Sequence, residues 1–397
     1  MTPNESPLTG PVALLDPLSN RPLVRDTEHT LCDGDSRWPV IDGVAFLRTD
    51  RQDLRRRCLA ALDEGDERGA LSLLLIDQDP FAPLPPPTIA AAAEIVDGVR
   101  GHRTTLRAAM RSLNFGRVAD YFAHRTSVPT YLSGLALIAH GGRPQAVVEL
   151  GCGIGHYLRE LQAHGVPALG IDLVFAKLWL ARHFVAPHAQ LLCADAVRPP
   201  LASLRPLTVL CHDAFYFFRE KAEAAERWMR LASDDGCVLI GHAHNAAVEQ
   251  AVAGTPLTPA AYAALLPGCA LYDDADLTAS ALSGRRAPAR SSDSLSSVDA
   301  VSLVWPGAGR TWWPGVLQSP ETISLRLNPL LGDSNGRTVA RWPTQGFASE
   351  YASLAGYLEG PMPAPEIVQR ALLGVRNDPE IGELARRRVL VDLPERW

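Results

Sequence analysis

The residues with the clearest chemical meaning are Gly151, Gly153 and Gly155, three alternating glycines in the stretch VVELGCGIGHYL (147–158). Glycine has no Cβ, so the backbone of such a loop can approach a ligand closely. The apolar run before the loop is typical of a buried strand. The residues after it predict a helix, whose first N–H groups are free to bind a carboxylate or another polar oxygen. A dinucleotide-binding G-x-G-x-x-G loop would need a third glycine where His156 stands, so the pattern does not favour an NAD site.

Two carboxylates follow the glycine loop at the ends of the next apolar segments. Asp172 ends PALGID (167–172), 17 residues after Gly155, and Asp195 lies at the end of QLLCADA (190–196). A carboxylate after the second strand of a nucleotide-binding sheet can accept hydrogen bonds from ribose hydroxyls. The spacing therefore predicts that the ligand contains a nucleoside.

The run E-L-G-x-G-x-G with Asp172 and Asp195 in this order resembles the class I methyltransferases that use S-adenosylmethionine (SAM). LTVLCHDAFYFF (207–218) and CVLIGHAHN (237–245) match the fourth and fifth strands of that family. The resemblance implies an α/β fold with a Rossmann-like, seven-strand, mostly parallel sheet. It also implies that SAM is the substrate, with Asp172 on its ribose, Asp195 on its adenine amino group and Glu149 near its amino acid end.

An aromatic segment, D-Y-F-A-H-R-x-x-x-x-x-Y (120–131), precedes the glycine loop. It resembles the helix that covers SAM in many methyltransferases. The resemblance makes Tyr121, Arg125 and Tyr131 candidates for binding the carboxylate and the sulfonium, because an aromatic face attracts a cation. Packing in the core is the alternative role for these residues.

Side chains able to transfer protons follow the fourth and fifth strands, namely His212, Asp213, Tyr216 and His244. The carboxyl ends of parallel strands are where α/β proteins place their chemistry, so these four are the predicted catalytic residues. His212 is a candidate general base because the ordinary pKa of imidazole lies near neutrality. The histidines here, including His242, show no ligand-spacing signature, so no metal is expected. The alternative role for two or three of these histidines is that of polar loop residues without a part in the chemistry.

Residues 146–250 alternate apolar strands with helical stretches, which is the βαβ pattern of a parallel sheet. Residues 51–77 predict a helical hairpin, and residues 79–88 form a proline-rich linker that leads to further helices. DAVSLVW (299–305) and ISLRLNPLL (323–331) are predicted to extend the sheet, and two or three helices are expected in the last 50 residues. The predicted domains are a small β module (1–50), a helical lid or connector (51–135), the SAM-binding domain (136–310) and a C-terminal extension with strand and helices (311–397).

The N-terminal module alternates short apolar runs with turn residues, in LLDPLSNRPLV and TLCDGDSRWPVIDGVAFLR. This pattern resembles the Trm112-like family of small domains derived from zinc ribbons. Zinc-bearing members place cysteine pairs in two loops, whereas this chain has Cys32 but Asp16, Ser19 and Asp35 in and around the other places. Structural zinc requires four Cys or His ligands, so we expect a metal-free docking or lid module. A plain packing element is the alternative.

The bulk composition narrows the classes of partner. The net charge is −6, and Lys177 and Lys221 are the only lysines, so a nucleic-acid partner is not expected. No apolar run is long enough to cross a membrane, and the first residues lack the secretory pattern. The seven scattered cysteines are predicted to be reduced thiols. A cytoplasmic protein is therefore expected, and the sequence does not indicate its oligomeric state.

The leading hypothesis from these patterns is a SAM-dependent methyltransferase that acts on a small molecule, in secondary metabolism. One alternative is a cyclisation or aminopropyl transfer that consumes SAM and releases methylthioadenosine, because adenosine recognition is the same for both reactions. The Trm112-like resemblance suggests a second alternative, methylation of RNA or of a translation factor. A non-catalytic partner protein with the SAM fold is the third, and the intact glycines, Asp172 and Asp195 argue against it.

Overall fold

The structure, a computed structural model, describes residues 12–78, 82–249, 253–320, 323–375 and 378–397. The N-terminal residues without a secretory pattern and the first three residues of the proline-rich linker lie outside the described residues. The strands are β1 (Val12–Leu14), β2 (Val24–Thr27), β3 (Thr30–Cys32), β4 (Arg37–Ile41), β5 (Val44–Phe46), β6 (Val147–Leu150), β7 (Ala168–Asp172), β8 (Gln190–Cys193), β9 (Leu201–Ser203), β10 (Thr208–His212), β11 (Cys237–His244), β12 (Ala270–Asp273), β13 (Ala300–Trp305), β14 (Arg326–Leu327), β15 (Leu331–Ser334), β16 (Arg337–Ala340), β17 (Gly360–Pro361) and β18 (Leu390–Val391).

The α-helices alternate with the strands in the middle of the chain and dominate two flanking segments. They are α1 (Gln52–Asp63), α2 (Glu67–Leu75), α3 (Ile89–Arg100), α4 (Leu106–Ser112), α5 (Arg117–His124), α6 (Pro129–Gly141), α7 (His156–Ala163), α8 (Phe175–Leu180), α9 (Lys221–Ala232), α10 (Pro259–Leu265), α11 (Asp274–Ser283), α12 (Gln345–Tyr351), α13 (Pro365–Leu372) and α14 (Pro379–Arg386). The helical hairpin predicted for residues 51–77 is therefore confirmed as α1 and α2.

The central sheet has the strand order β12-β13-β11-β10-β6-β7-β8-β5-β4-β3-β2. Its middle strands, β8, β7, β6, β10 and β11, run parallel, and β13 runs antiparallel between β11 and β12. The seven strands from β12 to β8 confirm the predicted Rossmann-like sheet. Chain order reverses between the neighbouring strands β6 and β10, which is the switch point where open α/β sheets bind ligands.

The parallel strands are buried on both faces, which explains their nearly continuous apolar sequences. Helix α6 packs against α11 and β11, and all of its 13 residues are buried. The glycine loop, the two acidic strand ends and the histidines therefore meet at one edge of a rigid layered core. That edge is formed by the carboxyl ends of the parallel strands.

The N-terminal module continues the central sheet and is not a separate layer. Its strands β2 to β5 form an antiparallel meander, and β5 pairs in parallel with β8 through Val44 and Leu191. Carboxylates stabilise its two loops. Asp16 Oδ1 accepts the N–H groups of Leu18 and Ser19, and Asp16 Oδ2 accepts the indole N–H of Trp38 at 2.6 Å.

The two segments predicted to extend the central sheet have different outcomes. DAVSLVW joins the central sheet as β13, but the strand within ISLRLNPLL is β14, which pairs with β18. The prediction that this second segment extends the central sheet is wrong, because its partner strand lies near the C-terminus. The last residues of the chain contact helices α7 and α5. Arg159 pairs with Asp392 at 2.5 Å, and the Trp397 indole donates to the carbonyl of Ala123.

Among the described helices, none is both long and apolar enough to cross a membrane.

Candidate active site

The glycine loop joins β6 to α7 at the switch point of the sheet. Gly151, Gly153 and Gly155 have φ values of +74°, +56° and +85°, a region that side chains disfavour. A Cβ on Gly151 would lie 2.8 Å from the Cβ of Ala214, in the loop after β10. Only glycine fits this first position, and the loop turns sharply so that α7 begins at His156, as predicted.

Asp172 lies at the end of β7 and connects the loop to the next turn. Its Oδ2 atom accepts the N–H of Gly153 at 3.0 Å, and its Oδ1 atom accepts the N–H of Val174 at 2.9 Å. Lys177 Nζ lies 3.9 Å from Oδ1. A carboxylate has about four acceptor positions, so lone pairs remain for a ligand beyond the backbone groups that hold it.

Asp195 follows β8, the next strand of the sheet. Its Oδ1 atom accepts the N–H of Val197 at 2.9 Å, and burial raises its pKa above the ordinary value. Asp172 and Asp195 thus end adjacent parallel strands, as the sequence predicts. Their contacts with an adenosyl group stay predictions.

The turn after Asp172 is also supported by a residue that the sequence patterns did not indicate. Arg48, just beyond β5, donates to the carbonyl oxygen of Leu173 at 2.9 Å and pairs with Asp50 and Asp77. Its side chain is 6% exposed. The N-terminal module therefore positions the backbone beside Asp172, a contact that joins residues 125 positions apart.

Glu149 lies in β6 beneath the loop and is 3% exposed. Its Oε2 atom has no hydrogen-bond partner within the described part of the chain. Burial raises the pKa of the carboxyl group to about 8, and Arg125 opposes part of that shift. A buried carboxyl oxygen without a partner is costly, so a ligand that brings a cation or a hydrogen-bond donor to Oε2 would stabilise it.

Helix α5 covers the glycine loop, as predicted for residues 120–131. The ring of Phe122 would lie 3.0 Å from a Cβ on Gly153, and the Phe122 carbonyl contacts His156 Nε2 at 2.9 Å. Tyr121 donates its hydroxyl to Asp213 Oδ2 at 2.6 Å. The helix thus connects the glycine loop to Asp213, the residue that follows β10.

Tyr131, the third residue predicted to bind the cofactor, has other contacts. Its hydroxyl donates to Glu160 Oε2 at 2.8 Å, and its ring stacks on Tyr157 with centroids 5.0 Å apart. The Arg388 guanidinium lies over the ring. Tyr131 is 1% exposed and belongs to the core beside α7, so the geometry favours the packing alternative.

Asp213 is the centre of the predicted catalytic group. Its φ is +59°, and its oxygens accept the hydroxyl groups of Tyr121 and of Tyr216, the latter at 2.9 Å. Arg125 lies 3.5 Å away. Burial favours the neutral acid, but the charges of His242 and Arg125 outweigh it and lower the pKa of Asp213 to about 2. The carboxylate is therefore ionised across the physiological range.

The general-base role predicted for His212 does not fit its surroundings. Its Nδ1 atom lies 3.1 Å from an Arg125 nitrogen, which can only donate, so the lone pair on Nδ1 is engaged. Burial and the positive charge of Arg125 lower the pKa of His212 to about 3. The ring faces Gly134 and Gly241, where a Cβ would lie 2.7 Å and 2.2 Å from His212 Cδ2. His212 is buried behind Asp213, and its Nε2 atom has no hydrogen-bond partner among the described residues.

His242, Asp274 and Ser302 complete the group, and no sequence pattern indicated the last two. His242 Nδ1 lies 2.7 Å from Asp274 Oδ2, and Ser302 donates to Asp274 Oδ1 at 2.6 Å. The ring of His244, a predicted catalytic residue, lies 4.5 Å from the ring of Tyr216. Asp274 and Ser302 belong to α11 and β13, so only the antiparallel part of the sheet brings them here.

The C-terminal extension also contributes to this group. Tyr351 of α12 is 4% exposed, burial raises its pKa, and it interacts electrostatically with Asp213 and Arg125. The extension therefore places Tyr351 close to Asp213 and Arg125. Its composition alone gave no signal for this role.

Residues 148–240 match the model of a family described as a methyltransferase domain. The match begins in β6, ends in β11 and includes the glycine loop, Asp172, Asp195 and Asp213. This part of the chain is a SAM-dependent methyltransferase domain. No curated protein matches the sequence. The Trm112-like character of residues 1–50 stays a prediction.

Solved structures with similar parts include several methyltransferases. The MccD protein aligns at 19% identity over 32% of this chain and 59% of its own, with a TM-score of 0.27. The plantazolicin methyltransferase BamL, solved with a triazolic desmethylPZN analog and SAH, aligns at 15% identity over 53% of this chain and 97% of its own, with a TM-score of 0.36. DesVI of Streptomyces venezuelae aligns at 19% identity over 30% of this chain and 53% of its own, with a TM-score of 0.25.

The residues of the methyltransferase domain fit SAM on structural grounds. The unpartnered Glu149 oxygen lies below a loop whose first position only glycine fits, and SAM carries an ammonium and a sulfonium that could pair with the ionised carboxyl. Asp172 keeps lone pairs for ribose hydroxyls. Glu149, the glycine loop, Asp172 and Asp195 would hold SAM, which supplies an activated methyl group when bound.

We expect SAM affinity to rise with pH toward 8, and we expect Glu149→Gln to remove most of this rise. The Glu149 pKa of about 8 leaves the group mostly protonated at neutral pH, whereas a bound cation favours the carboxylate and lowers its pKa. SAM binding then releases a proton below pH 8, so affinity increases through that window and levels off above it. Calorimetric titration in buffers of different ionisation enthalpy measures how many protons are released when SAM binds.

The Glu149→Gln protein is the control for this experiment. The amine of SAM titrates with both proteins, so its contribution to the pH dependence cancels when the two are compared. An identical pH dependence and proton release in the two proteins would contradict the assignment of Glu149 to the SAM site.

Proposed function

We propose that the protein transfers the methyl group of SAM to a small-molecule acceptor that binds beside Asp213. The observation that carries this proposal is the position of Asp213 at the end of β10, the strand next to the glycine loop across the switch point. Two tyrosine hydroxyls orient the carboxylate, and Arg125 keeps it charged. A methyl donor held by the loop and an acceptor held by Asp213 would be neighbours.

The enclosure of the site supports a small acceptor. The side chains of Arg125 and Asp213 are 4% and 12% exposed, and those of His242 and Asp274 are 17% and 13% exposed. Helix α5 and Tyr351 cover the group. A folded RNA or protein could reach such a site only with one extruded residue, and the net charge of −6 provides no general attraction for RNA. A role in secondary metabolism belongs to the same proposal.

The chain's own residues would act mainly by positioning. The sulfonium of SAM already activates the methyl group, so alignment of donor and acceptor supplies a large part of the rate. Asp213, with a pKa of about 2, is too weak a base at neutral pH to remove a proton from an alcohol, but it can accept a hydrogen bond from the acceptor. Helix α5 and Tyr351 exclude water from the reacting atoms.

We also propose that residues 1–50 form a metal-free module of the Trm112-like type that supports the cofactor site. The contact of Arg48 with the turn after Asp172 supports this role, as does the pairing of β5 with β8. In the loops of the module, Asp16 and Asp33 accept backbone N–H groups. Those hydrogen bonds stabilise the loops without a metal.

The experiment that tests the function is incubation of the purified protein with SAM, first alone and then with fractions of a metabolite extract, followed by mass spectrometry. We expect SAM to stay intact alone and S-adenosylhomocysteine to form with an acceptor. An enzyme-dependent rise in methylthioadenosine would show attack on the aminopropyl carbon, and the methyl-transfer proposal would then be wrong. Protein heated to loss of structure is the matched control.

A further inference from the structure

Three side chains beside the proposed acceptor position have the composition of a metal site. Asp213, His242 and His244 each offer one ligand atom, and these atoms all lie within 4.8 Å of one another. Two imidazoles and one carboxylate suit divalent transition metals, and such a trio leaves coordination positions open. Zinc ligands lie ~2.0–2.2 Å from the ion, so modest side-chain rotations would close the group around one.

We propose that Asp213, His242 and His244 bind one divalent transition-metal cation, with an open position directed at the acceptor. The part of this inference that concerns the acceptor rests on the proposed function; cation binding itself does not. The sequence indicated no metal because the ligands come from two strands, and a linear spacing signature cannot show residues that meet only in the sheet.

The contacts of His242 provide the first independent support. Metal-binding histidines commonly donate their other ring N–H to a carboxylate, which fixes the tautomer and the ring orientation. His242 Nδ1 lies 2.7 Å from Asp274 Oδ2, so Nε2 is the atom left to coordinate. Asp274 is held in turn by the hydroxyl of Ser302 at 2.6 Å and by that of Ser133 at 3.2 Å.

The backbone provides the second support. Asp213 and His242 have φ values of +59° and +51°, which are uncommon for residues with a side chain. The register between β11 and β13 shifts between Ile240 and Ala243, and the N–H of His242 donates to the Ser302 hydroxyl at 3.1 Å. A bulge of this kind re-aims a side chain at a strand end. Here it holds His242 beside Asp213.

The charges around the group are compatible with a cation. Asp213 and Asp274 contribute two negative charges, and Arg125 contributes one positive charge. His242 would bind the cation as the neutral imidazole and give up its own charge. Tyr121 and Tyr216 each occupy one acceptor position of Asp213, so lone pairs remain for a metal. His212 lies outside the trio whose ligand atoms are all within 4.8 Å of one another, so it is not among the proposed ligands.

The test uses the full chain without a histidine tag, stripped with a chelator and titrated with Co²⁺. We expect one equivalent of Co²⁺ to bind and produce visible d–d absorption bands. His244→Ala should abolish the bands, and Asp274→Asn should weaken binding about 10- to 100-fold, as expected for a residue that orients a ligand. His188→Ala, which removes an exposed histidine elsewhere, should bind as the unaltered protein does.

Failure of the unaltered protein to bind Co²⁺, or equal affinity in the His244→Ala protein, would overturn the proposal. Circular dichroism checks that His244→Ala folds, and Asp274→Asn serves as a nearly isosteric second variant. SAM titration of the same samples separates the two hypotheses. If the protein binds SAM but not Co²⁺, only the metal-site proposal is contradicted. If it binds Co²⁺ but not SAM, the methyltransferase proposal is contradicted.

Discussion

Arg125→Met is expected to lower the free energy of unfolding by about 3–5 kcal/mol, the usual cost of leaving a buried charge without its partner. Arg125 is 3% exposed and lies 3.5 Å from Asp213, and it also contacts Thr130 and His212 Nδ1. Methionine fills much of the same volume, so the effect reports the charge more than a cavity. Urea denaturation followed by circular dichroism measures it.

The double variant Arg125→Met/Asp213→Asn separates the pair from its surroundings. Removing both charges should restore part of the lost stability, so the combined effect should be smaller than the sum of the two single effects. Arg198→Met is the matched control, because Arg198 pairs with Glu223 on the surface and its loss should change little. Strict additivity in the double variant would show that Arg125 and Asp213 are not energetically coupled.

Asp172→Ala is expected to weaken SAM binding by about 1–3 kcal/mol, which is a rise in dissociation constant of roughly 5- to 150-fold. Two effects add. The ribose hydroxyls lose their acceptor, and the N–H groups of Gly153 and Val174 lose the oxygens that hold the loop and the turn. Calorimetric titration with SAM at constant pH measures the change.

Asp172→Asn distinguishes these two effects, because the amide keeps one oxygen acceptor and nearly the same shape. It should weaken binding less than alanine does. Asp53→Ala, at a side chain 72% exposed on α1, is the control and should bind SAM normally. If Asp172→Ala bound SAM as tightly as the unaltered protein, Asp172 would have no part in cofactor recognition.

The parts of the site that sequence patterns predicted are those encoded locally. The glycine loop follows a strand and precedes a helix within one stretch, and Asp172 and Asp195 each end an apolar run. The carboxyl ends of parallel strands lie at one edge of the sheet, so the strand pattern alone predicted that these residues lie close together. Asp213 was predicted for the same reason.

Residues whose contacts cross the fold gave no signal in the sequence, or only the signal of their residue type. Arg48, Asp274 and Ser302 carry no motif, and their contacts with the site span 125, 32 and 60 positions along the chain. His212 was predicted to be a base from its residue type, but burial and the charge of Arg125, 87 residues earlier, lower its pKa, and Arg125 also engages its Nδ1 atom. The residue type shows which reactions a side chain is capable of. Its burial and its hydrogen-bond partners set its pKa and decide which nitrogen or oxygen is available.

By itself, the sequence determined that strands and helices alternate and that a glycine loop joins a buried strand to a helix, because apolar periodicity and backbone freedom are properties of short segments. The Rossmann-like sheet and SAM as the ligand were implied by the resemblance to class I methyltransferases. The tertiary structure alone decided that the N-terminal strands extend the same sheet, that Tyr351 lies close to Asp213, and that His242 is oriented by Asp274. These outcomes depend on strand pairing and on the loss of water around charged groups. Both arise only when distant segments pack together.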